Sequence, residues 1–309
     1  MSFQESDISW QVLAGIIRDW AGSSAELGEV RRLEGGVINT TLGLTLKSGE
    51  RAVLKISPHR INRDYQYEAY QLDLLRSLGL PTPQVYRMKI GTLEEPHSLI
   101  LMQFMDGIDL AQAKTQCSAE QFDDLQRDLA EIILTMHKQT SPEYRRASAD
   151  NTDSFASWPE FYRKLYDPVV QEACSNRDLP PKARKHISKI HERLDAWLGH
   201  NDVPRLVHSD IWATNLLARP DGDGRWRINA VLDPNCKYAH AEAEIAYMDL
   251  FHTCTPAFLK AYQQVFKLDE GYHRVRKAVY QLYPLMNHLS LFGNEYAKPM
   301  LAALDKVLV

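Results

Sequence analysis

The sequence predicts an α+β protein of two lobes. The first, residues 1–105, is small and built on an antiparallel sheet with a helix. The second, residues 106–309, is larger and mostly helical. Three observations carry this reading. Residues 28–57 and 83–102 consist of short apolar runs broken by glycine, proline and other turn residues, the signature of strands. After residue 105, apolar residues recur at helical spacing through most of the chain. Between the two regimes lies Gln103-Phe104-Met105-Asp106-Gly107, a strand end running into a glycine-containing segment, as a hinge requires. A chain of 309 residues is long enough for two lobes and a sizeable core.

Taken in order, Ile8, Val12, Ile16, Ile17 and Trp20 fall at helical spacing, so residues 6–20 read as a helix at the edge of the first lobe. Residues 28–57 read as strands, with a hairpin turn at Lys47-Ser48-Gly49-Glu50. Tyr67, Tyr70, Leu72, Leu74, Leu75 and Leu78 form the apolar stripe of a second helix, which Gly79 and Pro81 stop. Pro83–Tyr86 and Ser98–Met102 complete the strands. In the second lobe Ser118 caps a helix, with Gln121 as its capping-box partner. Its apolar face runs from Phe122 to Met136, and His137 closes it as a packing or capping residue. Residues 140–157 read as a polar loop, 158–170 and 182–198 as helices, the segment after Asn235 as helical, and 256–309 as helices interrupted by Pro284 and Gly293.

Composition excludes several classes. The net charge is −4 and no run of five Lys or Arg occurs, so no nucleic-acid-binding surface is expected. No apolar run reaches the roughly 18 residues of a membrane span. The N-terminus lacks the basic-then-apolar layout of a signal peptide. Cys117, Cys174, Cys236 and Cys254 are scattered without a C-x-x-C pair, as reduced thiols are. The expectation is a cytoplasmic protein, monomer or dimer, with neither membrane nor nucleic acid as partner.

The chemistry concentrates in residues 205–234. A short apolar run, Leu206-Val207, leads into His208-Ser209-Asp210, and Asn215 follows five residues after the Asp. A Gly- and Asp-rich turn at 219–224 separates this from a second apolar run, Ile228–Leu232, which ends in Asp233. An H-x-D-x-x-x-x-N loop before a strand ending in Asp is the arrangement protein kinases use, with the first Asp orienting the acceptor hydroxyl and Asn and the second Asp holding Mg²⁺. By itself the spacing is weak, since Asp and Asn are common turn residues. Upstream groups raise its weight. Gly35-Gly36 lets the backbone approach a phosphate or simply makes a turn, and Asn39 can bond to either. Lys55, about twenty residues on, sits on a strand where a lysine would pair ATP phosphates. Glu68 is the carboxylate that would orient it, with Asp64 and Asp73 as alternatives farther from the middle of the stripe. The backbone of the hinge, around Gln103 and Met105, would hydrogen-bond an adenine edge. The ordered set points to phosphoryl transfer, where catalysis is mostly positioning and charge neutralisation. No Phe-Gly follows Asp233 and no Ala-Pro-Glu closes an activation loop, which argues for a small-molecule acceptor.

L-V-H-S-D-I-W-A-T-N-L-L, V-L-D-P and A-H-A-E-A-E-I-A-Y-M-D-L-F resemble the fructosamine kinase (ketosamine kinase) group of the aminoglycoside phosphotransferase superfamily. G-G-V-I-N-T-T, M-H-K-Q-T-S-P-E-Y and Y-Q-L-Y-P-L-M-N-H-L-S-L-F-G extend the resemblance from about residue 30 to 295. It implies a protein-kinase-like fold, ATP and Mg²⁺ as cofactors, and transfer of the γ-phosphate to a sugar hydroxyl. By motif position it implies Asp210 as base, Asn215 and Asp233 as metal ligands, and Lys55 with Glu68 as the phosphate anchor. The chain departs from the group at Ser209 and Ala239, where members usually carry Gly, and in the loop at 144–157. His208, His240, Glu242 and Glu244 are candidates for acceptor contact, against a plainer reading of the two glutamates as helix residues. The expected acceptor is a ketosamine or related sugar. Alternatives are an aminoglycoside or choline-like amino alcohol on the same fold, and a non-catalytic nucleotide-binding protein.

Overall fold

The computed structural model describes residues 8–33, 40–57, 64–92, 97–150, 153–200 and 202–307. The chain divides into two compact units, Met1–Gln116 with Thr214–Asn235, and Cys117–Ala213 with Cys236–Val309.

In the first unit, α1 (Trp10–Ala21) opens on a cap in which Ser9 Oγ accepts the Val12 N–H at 3.3 Å. Five strands follow: β1 (Leu27–Arg32), β2 (Thr40–Leu46), β3 (Arg51–Ile56), β4 (Val85–Lys89) and β5 (Leu99–Gln103). They form one antiparallel sheet in the order β1-β2-β3-β5-β4. One face buries Leu42, Leu44, Leu54, Ile56, Leu99 and Leu101 against Leu13, Ile16 and Ile17 of α1. The other packs Ile100 and Met102 against Tyr65, Ala69 and Leu72 of α2 (Asp64–Ser77). Side chains alternate along a strand. Lys55, between Leu54 and Ile56, is therefore turned to the α2 face.

The unit continues through β6 (Ile108–Asp109) and α3 (Leu110–Gln116) and is completed by β10 (Leu216–Pro220) and β11 (Trp226–Val231). These strands pair as β11-β10-β6, so the segment after β5 is fastened to the ribbon that carries Asn215 and Asp233 at its end. Gly107 makes the approach possible. Its φ is +146°, and a Cβ there would meet the Ala218 carbonyl oxygen at 3.0 Å. Gly107→Ala is expected to lower stability by about 1–3 kcal/mol, read as a fall in the urea midpoint at unchanged m-value.

The second unit is mostly helical. It contains α4 (Ala119–His137), α5 (Trp158–Ser175), α6 (Pro181–Leu198), α7 (Ala241–Leu250), α8 (Pro256–Tyr262), α9 (Lys277–Phe292) and α10 (Ala297–Leu304). The capping box at Ser118 and Gln121 is formed. Among the helices lies a small sheet in the order β8-β7-β12-β9, from β7 (Tyr144–Arg146), β8 (Ser154–Phe155), β9 (Arg205–Val207) and β12 (Lys237–Ala239). The sequence reads 140–157 as loop and the stretch after Asn235 as helix; both expectations are corrected at the strands β7, β8 and β12, while Ala241–Leu250 is helix as expected. Strands of two or three residues are too short to display alternation, and Lys237–Ala239 is held extended by pairing on both sides. Gly293 ends α9 at φ +88°, but Pro284 does not interrupt it. Pro284 is buried with Leu282, Leu285 and Met286, and that packing outweighs the missing N–H. No helix among the described residues is long and apolar enough to cross a membrane.

Candidate active site

In the first unit, Lys55 Nζ donates to Glu68 Oε1 at 2.6 Å and is also ion-paired with Asp233. Asp64 and Asp73 have no part in this contact, and Glu68 is the α2 carboxylate that reaches Lys55. Burial opposes the charge on Lys55, but Glu68 and Asp233 outweigh it and hold the amine above its ordinary value. Burial also raises the Glu68 carboxyl, with Lys55 pulling the other way. A partly buried cation with two carboxylates is a group with which phosphate oxygens can also pair.

Asn215 ends a 3₁₀ turn, Ala213–Asn215, and its carbonyl accepts the Leu232 N–H at 2.9 Å. Leu216 pairs with Val231, so Asn215 and Asp233 stand at the same end of the β10–β11 ribbon. Asp233 adopts φ +55°, which turns the chain sharply out of β11. An amide oxygen and a carboxylate are hard donors of the kind Mg²⁺ takes, so this pair fits that ion. At the end of β5, Gln103 N–H donates to the Gln84 carbonyl at 2.8 Å, and Arg51 clamps Asp106 at 2.6 and 2.7 Å. Asn229 Nδ2 donates to the Asp106 carbonyl at 2.6 Å, so the segment around Met105 is tied down on both sides. Gly35, Gly36 and Asn39 lie outside the described residues.

In the second unit, β9 delivers His208-Ser209-Asp210. Ser209 has φ +67°, a left-handed conformation that explains why glycine suits this position. Glu244 on α7 holds the turn by accepting the Ser209 N–H at 2.7 Å. Its other oxygen is 2.9 Å from His137 Nε2. A carboxylate only accepts, so Nε2 donates to it, and Nδ1 meets the Tyr262 hydroxyl at 2.9 Å. His137 is thus more than the packing residue its sequence context suggests. The Asp210 N–H donates to His208 Nδ1 at 3.3 Å, and the His208 side chain is fully buried. Tyr247 donates its hydroxyl to Asp210 Oδ1 at 2.5 Å. Burial first, and Asp210 next, raise the Tyr247 phenol, so it remains a donor. Tyr247 is not singled out by its sequence context, although it lies three residues after Glu244 on one helix, the spacing that shares a face.

His240 and Glu242 are also enclosed. Arg276 holds Glu242 in a two-point contact at 2.6 and 2.8 Å, and the Tyr280 hydroxyl adds a third bond at 3.0 Å. His240 lies between the hydroxyls of Tyr144 (3.0 Å) and Tyr280 (3.3 Å), with its ring stacked on Trp158. Burial, then His200 and Arg276, pull the His240 imidazole down to about 2. The unfolded chain therefore binds a proton at His240 that the folded chain excludes. Its contribution to stability is complete above the unfolded value of about 6.5 and is lost as pH falls, by about 1.4 kcal/mol per unit. Thermal melts from about pH 7.5 down to 5 are expected to show this loss, with a shallower slope in His240→Gln.

The fructosamine kinase family description matches the chain over residues 9–309. The chain belongs to the fructosamine kinase family. It is 24% identical to a probable ketoamine kinase of Klebsiella aerogenes, covering 97% of this chain and 99% of the relative. It is 26% identical to a chloroplastic protein-ribulosamine 3-kinase of rice, covering 94% and 83%. Among solved structures, a protein assigned as fructosamine-3-kinase from Thermobifida fusca superposes with a TM-score of 0.75 at 24% identity, covering 95% of this chain and 97% of that one. A thermostable aminoglycoside phosphotransferase mutant, bound to AMP-PNP and hygromycin B, superposes with a TM-score of 0.68 at 17% identity, covering 95% and 96%. The family's α+β protein-kinase-like fold is therefore the fold of this chain.

Proposed function

We propose that this protein is an ATP-dependent kinase that phosphorylates a hydroxyl of a ketosamine. The observation that carries the reading is the partly buried Lys55 bonded at once to Glu68 and Asp233. Phosphate binding in a kinase calls for a lysine held by a helix carboxylate beside a metal ligand. The acceptor oxygen forms a bond to the γ-phosphorus as the bond to the ADP oxygen breaks, and Asp210 takes the hydroxyl proton. Tyr247 fixes one Asp210 oxygen and so orients the carboxylate. Lys55, oriented by Glu68, neutralises phosphate charge, the backbone at Gly35 and Gly36 covers the phosphates, and the Asn39 side chain bonds to one of them. The backbone from Gln103 to Met105 meets the adenine edge. Asn215 and Asp233 would hold Mg²⁺, which would supply positive charge against that of the phosphates.

We assign residues 1–105 to the nucleotide-binding lobe and 106–309 to the catalytic and acceptor-binding lobe. His208 and Glu244 hold the catalytic loop through the Asp210 and Ser209 N–H groups, and His240 and Glu242 are engaged by Tyr144, Tyr280 and Arg276, so all four are committed to protein partners. That commitment also weighs against a polycationic antibiotic, which needs carboxylates turned outward. The names of the relatives, ketoamine kinase and protein-ribulosamine 3-kinase, support a ketosamine acceptor. None of the four cysteines is in a disulfide, which supports a reducing, cytoplasmic setting. An ATP-consumption screen over ketosamines, aminoglycosides and amino alcohols tests the reading. Turnover confined to ketosamines is expected, and turnover confined to either other class overturns the acceptor assignment.

A further inference from the structure

His200, just beyond α6, meets His240 and Glu242, at the start of α7, within the second unit. One nitrogen of each histidine and one Glu242 oxygen all lie within 4.8 Å of one another. The two imidazole rings have centroids 4.4 Å apart, and His200 Nε2 is 3.4 Å from Glu242 Oε1.

A chain of four contacts runs through His240. The Tyr144 hydroxyl reaches the Asp202 carbonyl at 2.8 Å and His240 Nε2 at 3.0 Å. The Tyr280 hydroxyl reaches His240 Nδ1 at 3.3 Å and Glu242 Oε1 at 3.0 Å. Each contact needs one hydrogen. A carbonyl and a carboxylate only accept, so Tyr144 gives its hydrogen to Asp202 and Tyr280 gives its own to Glu242. Burial keeps His240 neutral at ordinary pH, and a neutral imidazole has a single N–H for the two contacts that remain. The chain is therefore one hydrogen short. The longest contact, Nδ1 to Tyr280, is the one that lacks it, so Nε2–H donates to Tyr144 and Nδ1 keeps a lone pair on the side of Tyr280 and Glu242. His200 adds a second unmet nitrogen: its Nδ1 is buried and has no hydrogen-bond partner among the described residues.

Two imidazoles and a carboxylate are a donor set of the kind Zn²⁺ takes. The outer bonds that orient such ligands are in place, Nε2–H of His240 to Tyr144 and Arg276 to Glu242 Oε2. Arg276 also bonds Asp269, so the guanidinium and its two carboxylates together carry one net negative charge, which favours a divalent cation.

We propose that His200, His240 and Glu242 form a Zn²⁺ site, with water as a fourth ligand, that ties the end of α6 to the start of α7. Helix α7 carries Glu244 and Tyr247, which bond to Ser209 and Asp210, so the ion steadies the catalytic loop from outside the reaction. The inference does not depend on the kinase reading.

Co²⁺ and Zn²⁺ are the probes, added to the chelator-treated 309-residue chain in excess Mg²⁺, which occupies sites of oxygen ligands alone. One Co²⁺ per chain is expected to bind with the visible absorption of a four-coordinate site, and one equivalent of Zn²⁺ should displace it. Zn²⁺ should also raise the thermal midpoint, as any ligand of the native state does. His200→Gln, at a partly exposed position outside the helix, is expected to abolish the Co²⁺ bands. It should weaken Zn²⁺ binding by about 100-fold or more, beyond the loss that an outer-shell change causes. Its metal-free melt should match that of the wild type, which separates a ligand from a residue needed for folding. His240→Gln should lose the bands too, and His273→Gln, an exposed histidine of the same unit, should keep them. Absence of Co²⁺ bands and of Zn²⁺ binding in the wild type, or equal binding in His200→Gln, would overturn the proposal.

Discussion

Asparagine in place of Asp210 is expected to lower kcat about 10³-fold while leaving the KM for ATP within a small factor. The substitution keeps size and shape. The amide oxygen can still accept from Tyr247, as Oδ1 does at 2.5 Å, so the loop geometry should survive. What is lost is the capacity to take the acceptor's proton as the new phosphorus–oxygen bond forms. Steady-state and single-turnover kinetics with a ketosamine check this. Full activity in Asp210→Asn would remove Asp210 from the role of base, whatever the acceptor.

Methionine in place of Lys55 is expected to cost about 10²–10³ in kcat/KM, the usual worth of a group aimed at transition-state charge. It should also cost stability, because it leaves the Glu68 carboxylate, 13% exposed, without the ammonium 2.6 Å away. Stranding one member of such a pair typically costs about 3–5 kcal/mol. The double variant Lys55→Met/Glu68→Gln removes both charges and is expected to be more stable than Lys55→Met alone, yet no more active. The two readouts part company because stability depends on matching the pair, whereas activity depends on the cation. Equal activity loss in Glu68→Gln and Lys55→Met would mean that Glu68 does more than orient its partner.

The contact between Lys55 and Glu68 is legible in sequence because period two on β3 turns Lys55 toward α2, while the stripe of α2 puts Glu68 near its middle. The ribbon holding Asn215 and Asp233 is legible too, since its Gly- and Asp-rich turn lies between two apolar runs. Tyr247 is not, because a tyrosine beside apolar helix residues reads as core, and only the position of β9 brings Asp210 to its hydroxyl. Strand β12 is hidden for a related reason. The neighbours of Lys237 along the chain suggest a helix, and the pairing partners that hold it extended, Arg146 and Val207, come from distant segments. Ser209 marks the opposite case: glycine is the simpler residue at φ +67°, and the Glu244 bond to its N–H supplies a local restraint there.

The most direct measurement is of the product. The protein is incubated with ATP, Mg²⁺ and ketosamines, ADP is quantified, and phosphorus–proton correlated NMR locates the phosphate. The expected result is one phosphomonoester on a sugar hydroxyl, formed in equal amount to ADP and nearly absent with Asp210→Asn. Release of inorganic phosphate with no sugar ester, or an ester that forms equally well in Asp210→Asn, would contradict the assignment of a ketosamine kinase with Asp210 as its base.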